Sequence, residues 1–314
     1  MLRFLLQRLA SAFLVLLMVS LCTFVLIWLV PGDVASQLAD PGASTEELKR
    51  IRERLNLDQP WHIQLFSWYG NLLRGDLGQS FLLNRSVTDA ILERLPVTLS
   101  LTLLALAIAV TLGVGAGIVA AVKHGSWADQ SIMTLALIGL SIPDFWLGLV
   151  GIYVFAVALG WLPSGGFVPF SQDPIGWARS MALPAVTLGV TQVGLIARIT
   201  RSSMLEVLGQ DYVRTARAKG VPTFKVIVKH AFTNALIPVI TVIGVIVGVL
   251  LGGAVVIEQV FSLPGVGRLI IGAVLRRDYP VIQGGLLLLA FIYVFVNIVV
   301  DLLYAYVDPR VRYG

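Results

Sequence analysis

Charge is what this 314-residue sequence has least of: Asp, Glu, Lys and Arg make up 13% of it, against 57% hydrophobic residues. Soluble chains carry roughly 25% charged residues, so composition excludes an ordinary water-soluble fold. Cysteine is scarcer still. Cys22 stands alone inside an apolar run and allows no internal disulfide. The three histidines, His62, His124 and His230, are scattered, and no helix pairs His with Cys or with a second His at metal-ligand spacing. Also missing are a G-x-x-x-x-G-K-[S/T] phosphate loop, a G-x-S-x-G nucleophile turn and an H-E-x-x-H zinc pair. Nucleotide hydrolysis, intramembrane hydrolysis and metal catalysis thus lack their working residues. The chain is expected to be no enzyme and to hold no cofactor or metal.

What it has instead is long apolar runs. A hydrocarbon core of about 30 Å takes roughly 20 apolar residues per helix. Six runs qualify: Leu9–Pro31, Leu95–Val122, Gln130–Ala158, Ser180–Ala197, Ala231–Ile257 and Tyr279–Val300. The expected fold is an all-α integral membrane protein of six transmembrane helices, surrounded by lipid. The opening MLRFLLQR has the basic flank of a signal peptide, but its apolar run is too long and ends at Pro31-Gly32-Asp33 without a small-x-small cleavage site. It reads as a permanent first helix, residues 1–31. Arg3 and Arg8 before it, and Arg310 and Arg312 after the sixth helix, place both termini in the cytoplasm. The formal charge of +5 follows from this topology, and no nucleic acid partner is expected.

One polar island interrupts the apolar second half. Residues 198–230 carry Arg198, Arg201, Arg214, Arg217, Lys219, Lys225 and Lys229 against Glu206 and Asp211, which puts the loop 198–233 in the cytoplasm. Val213, Ala216 and Gly220 recur at helical spacing. Gly220, Val221 and Pro222 then break the helix before Phe224, Val228, Ala231 and Phe232 resume the pattern. A short helix, a turn and a second helix are expected there, a surface built to meet a soluble partner.

Residues 32–94 form a polar extracytoplasmic cap segment, with 95–314 as a five-helix core. In the cap, Ser44 and Glu47 make a capping box ahead of Leu48, Ile51 and Leu55. Trp61, Leu65, Trp68, Tyr69 and Leu72 suit a membrane interface. This segment reads equally as a cover over a pathway or a dock for a partner and as a packed seal over the outer helix ends. In the core, Ala105, Ala109, Gly113, Gly117 and Ala121 fall at steps of four, as do Gly244, Gly248 and Gly252. Both rows are expected helix-packing seams, static or rocking. Asp144 follows Pro143 inside the third run; a carboxylate there faces a pathway or caps backbone N–H groups freed by the proline. Leu269, Ala273 and Arg276 suggest a short outer or re-entrant helix, and Asp301 and Asp308-Pro309 read as structural.

Several strings then identify a resemblance. Arg214-Thr215-Ala216 with Gly220, followed by His230 to Pro238 as H-A-x-x-N-A-x-x-P, resemble the cytoplasmic coupling motif of binding-protein-dependent ABC importer permeases. Arg214 stands where the general motif has Glu, as in the peptide and nickel branch. LVPGD, LNLDQP, GDLGQSF, SIPDFWLGL, RSSMLEVLGQDYVRTARAKG, PGVGR, RDYPVIQG and VDLLYAYVDPRVRY extend the likeness over nearly the whole chain. It is similar to the first permease subunit of dipeptide and oligopeptide importers. The resemblance implies a type I ABC importer permease fold in a bacterial inner membrane. It also implies a second homologous permease subunit, two cytoplasmic ATPase subunits that bring ATP and Mg, and an extracytoplasmic substrate-binding protein. Arg214, Thr215, Ala216, Arg217, Lys219 and Gly220 would contact the ATPase. Nickel-chelate and glutathione importers share most of these strings. From other classes, a stand-alone channel or secondary carrier lacks the internal repeat often seen there, and a scaffold or receptor leaves Asp144 without a task.

Overall fold

The structure, a computed structural model, describes residues 2–29, 44–54 and 58–307. The Pro31-Gly32-Asp33 break, Leu55, Asp308, Pro309, Arg310 and Arg312 lie outside the described residues, as does the Glu47 side chain and with it the capping box. Among the described residues the architecture is helical; extended backbone pairs only in an isolated bridge between Gln79 and Ser86.

In chain order the helices are α1 (Leu2–Leu29), α2 (Thr45–Arg54), α3 (Trp61–Leu72), α4 (Val87–Val122), α5 (Trp127–Ser141) and α6 (Asp144–Ala158). There follow α7 (Pro174–Leu208), α8 (Asp211–Ala218), α9 (Thr223–Val260), α10 (Val266–Arg276) and α11 (Tyr279–Val307). Five of them are long and apolar enough to cross a membrane by themselves, and α5 with α6, bent sharply between them, passes the same test as a pair, as a broken span or a re-entrant loop.

That bend, 98°, is where the third apolar run departs from a straight helix. Pro143 has no N–H for the helix to use, and its ring drives the preceding Ile142 into extended backbone at φ −86° and ψ 125°. The new helix then starts at Asp144. The other spans outrun their hydropathy-based limits at polar ends. Helix α4 begins at Val87 rather than Leu95 because Val87, Ala90 and Ile91 are buried while Glu93 stays in contact with water. Helix α7 begins at Pro174, where the Asp173 side chain accepts the Ile175 N–H at 3.0 Å and Pro174 takes a position that needs no donor.

The chain divides into two compact units, Met1–Arg8 with Pro96–Arg268 and Ile292–Gly314, and Leu9–Leu95 with Leu269–Phe291. The first is built on α7, whose buried Leu188 and Ile196 meet Leu101, Ala105 and Ala109 of α4 and Ile246, Leu250 and Ala254 of α9. The row of small residues on α4 is what brings its backbone close: a Cβ on Gly113 would sit 2.7 Å from the Ile196 Cβ, and one on Gly117 would sit 2.6 Å from the Ala197 carbonyl oxygen. On α9, Gly244 and Gly248 lie against Val300 and Tyr293 of α11, whereas Gly252 faces open space and belongs to no seam here. Arg8 pairs with Asp301 at 3.1 Å, tying the start of α1 to α11.

The second unit packs the aromatic α3 on α1. Tyr69 Oη and Ser20 Oγ share a hydrogen bond of 2.7 Å, and Trp68 lies against Phe24. Trp68 and Tyr69 thus serve packing, while Trp61 stays exposed. Asp278 is buried and closes the other side of this unit. It accepts the Ser80 hydroxyl at 2.5 Å and the Phe81 and Leu82 N–H groups at 3.3 Å, holding the GDLGQSF segment to the start of α11.

Candidate functional site

The polar island folds as a small unit with its own core. Val213 and Ala216 of α8 are buried together with Val226, against Val207, Leu208 and Val221. The turn after α8 is closed by backbone geometry. Gly220 stands in the left-handed region at φ +74°; its N–H reaches the Arg217 carbonyl at 2.9 Å, and the Val221 N–H reaches the Ala216 carbonyl at 3.2 Å. This is a Schellman closure, completed by the apolar contact of Val221 with Ala216 and by Pro222 just beyond.

The predicted contact residues divide by this fold. Arg214, Thr215, Arg217, Lys219 and Gly220 are exposed, whereas Ala216 is turned into the loop's own core and cannot meet a partner. The second half of the island also differs from its helical pattern. Near its start α9 is π-helical over Val226–Phe232, and Val226 and Ala231, five apart, both go inward while Val228 goes outward; Phe224, just before the stretch, is exposed too. Phe224 is 75% exposed and Tyr212 45%. Two aromatic rings among Arg214, Arg217, Lys219 and Lys225 give the composition of a protein-docking surface.

A cluster that sequence reading missed fixes the approach to this loop. Asp129, at the first turn of α5, is buried and takes Arg201 of α7 in a two-pronged pair at 2.6 and 2.7 Å. It also accepts the Gly125 N–H at 3.0 Å and lies 3.2 Å from His124 Nδ1. Arg201 precedes α8 by ten positions, so the turn before α5 is fastened to the helix that carries the loop. The sequence signal was present in Arg201, counted there only as a topological charge.

Asp144 lies at the start of α6, partly buried, with a carboxylate oxygen facing Gly253 of α9. Gly148 and Gly151 of the same helix rest on Thr187 of α7. The carboxylate thus sits between α7 and α9, with the buried Thr191 of α7 as its polar neighbour. Among the described residues no cation is paired with it.

Glu258 is another buried acid that hydropathy did not flag. It accepts the Thr98 hydroxyl at 2.6 Å and the Arg268 N–H at 2.9 Å, and Thr98 in turn accepts the Val266 N–H at 2.9 Å. The Pro264–Arg268 turn wraps so closely that a Cβ on Gly265 would overlap the carboxylate. Glu258→Ala is expected to strip this turn of its acceptor and cost about 1–3 kcal/mol. Faster hydrogen exchange at Val266 and Arg268, with Glu258→Gln closer to wild type, would report it; unchanged exchange in the Ala variant would rule out this anchoring.

Comparison with known proteins matches this architecture to one family. The model described as "Binding-protein-dependent transport system inner membrane component" matches residues 113–313, and the N-terminal model of the same transport-system membrane components matches residues 1–102. A Brucella abortus protein named as a peptide transport system permease is 53% identical over 98% of both chains. The glutathione transport system permease protein of Escherichia coli K12 is 42% identical over 100% of both chains. A solved structure of the MetNI methionine ABC transporter in inward-facing form superposes with a TM-score of 0.54 at 20% identity, over 67% of this chain and 93% of that one; it supports the fold. With its apolar spans and these matches over its full length, the chain belongs to the binding-protein-dependent transport system inner membrane components, multi-pass proteins of the bacterial inner membrane.

Proposed function

We propose that this chain forms half of the translocation pathway of an ATP-driven importer of di- or oligopeptides, beside a second, homologous permease subunit. The observation that carries the reading is the island: a separately cored, basic and aromatic loop between two spans, presenting Arg214, Thr215, Arg217, Lys219 and Phe224 outward. In this reading the loop faces the cytoplasm with both termini, and each permease docks one of two ATPases that hold ATP and Mg. The opposite face receives the extracytoplasmic binding protein. Peptide as cargo is supported by the name of the Brucella abortus relative, 53% identical to this chain. Glutathione, itself a small peptide, is the second reading, favoured by the Escherichia coli relative.

Asp144 is assigned to the pathway because it is a carboxylate within an apolar run, with no cation beside it among the described residues, at the bend between α5 and α6. The test is uptake into proteoliposomes by the complete complex with its loaded binding protein. Wild type is expected to accumulate peptide in an ATP-dependent way. Asp144→Asn, which keeps the shape and removes the charge, is expected to lower the uptake rate at least tenfold while the complex assembles. Unchanged uptake in that variant removes Asp144 from the pathway, and ATP-independent passage in wild type would favour a channel.

A further inference from the structure

Where α6 ends and α7 begins, the chain builds a cleft of about 610 Å³, a size that fits small-ligand sites. Its apolar wall comes from Leu162, Pro163, Phe167 and Val168, and Arg179 is the one charged residue among those that line it. The wall is held in place. Gly166 donates its N–H to the Phe261 carbonyl at 3.0 Å, so the loop is fixed to the end of α9. Arg179 donates one N–H to the Trp161 carbonyl at 3.1 Å, which fixes the guanidinium at the rim and leaves most of its donors for a ligand. Ser180, buried beside it, gives its hydroxyl proton to the Trp177 carbonyl at 2.9 Å. The Asp173 Oδ2 lies against Gly176, one of the lining residues, while its Oδ1 accepts the Ile175 N–H at 3.0 Å as a helix cap.

We propose that this cleft binds a carboxylate joined to an apolar side chain, namely the carboxy-terminal residue of the arriving peptide, with Arg179 holding the carboxylate. A guanidinium beside an apolar wall matches that chemistry: the planar fork donates to two oxygens side by side, and the wall takes the adjoining side chain. Helix α7 runs from this cleft to the polar island at its far end. In the orientation proposed above, on which this inference rests, the cleft therefore opens to the side from which peptide is delivered. Arg179 then acts before the pathway proper, selecting cargo with a free carboxy terminus.

The experiment uses the complete membrane complex in lipid nanodiscs without the binding protein, and saturation-transfer NMR with alanyl-phenylalanine and its carboxamide as probes. Wild type is expected to transfer saturation to the phenyl ring of the free acid at least five times more strongly than to that of the amide. Arg179→Gln keeps a donor for the Trp161 carbonyl and is expected to abolish this preference; Arg179→Lys is expected to retain part of it. Equal signals from acid and amide in wild type, or an undiminished preference in Arg179→Gln, would overturn the subsite. A second arm measures docking of the binding protein with and without peptide. If Arg179→Gln weakens docking equally in both states and the acid is not preferred, the cleft takes an acidic side chain of that protein and the proposal fails. Import by the wild-type complex separates the two levels: no peptide import removes the peptide reading and this subsite together, whereas import with no acid preference removes the subsite alone.

Discussion

Arg201→Ala is expected to lower the stability of the inserted chain by about 3 kcal/mol, because it leaves the Asp129 carboxylate buried with its principal partner gone. This is the low end of the range for breaking a buried pair, chosen because the Arg201 side chain keeps 24% of its surface exposed while that of Asp129 keeps 4%. Arg201→Lys should recover only part of the loss, since an ammonium cannot reproduce the two parallel bonds at 2.6 and 2.7 Å. The double variant Asp129→Asn with Arg201→Gln should be more stable than Arg201→Ala alone, because no ionised group is left stranded. Unfolding by denaturant in lipid or mild detergent micelles measures all three. Equal stability of wild type and Arg201→Ala would show that the pair is an incidental contact at the membrane edge.

The pair also shows which features were legible in the sequence. Six apolar runs and a basic island could be read because hydropathy and charge bias are properties of segments. Asp129 with Arg201, Ser80 with Asp278, and Glu258 with Thr98 join residues 72 to 198 positions apart, and no local pattern announces them. Asp144 stood out because Pro143 and an apolar run surround it; Glu258 did not, since it falls at the polar end of its run. The break at Pro143 was marked by the proline, yet its 98° size depends on what α6 packs against, which the sequence leaves unstated.

Gly220 carries the largest expected effect on transport. Space does not select glycine here, because a Cβ would meet nothing within 4 Å. What the turn requires is the backbone at φ +74°, which costs an ordinary L-residue about 1–2 kcal/mol and asparagine less. Strain and docking therefore make separable predictions. If only the turn matters, Gly220→Ala and Gly220→Trp should impair the importer to a similar degree, and Gly220→Asn should be milder than both. If the exposed rim of α8 seats in a cleft on the ATPase, as proposed, Gly220→Trp projects an indole into that seat while Gly220→Ala adds a single methyl. The expected order of substrate-stimulated ATP hydrolysis is then wild type, Asn and Ala close together, with Trp near the unstimulated rate. Arg217→Glu should fall between, because a single exposed ion pair contributes only about 0–1 kcal/mol. ATP hydrolysis by the reconstituted complex, with and without loaded binding protein, reads the order directly. Normal stimulation in a correctly assembled Gly220→Trp complex would take this loop out of the energy-coupling path.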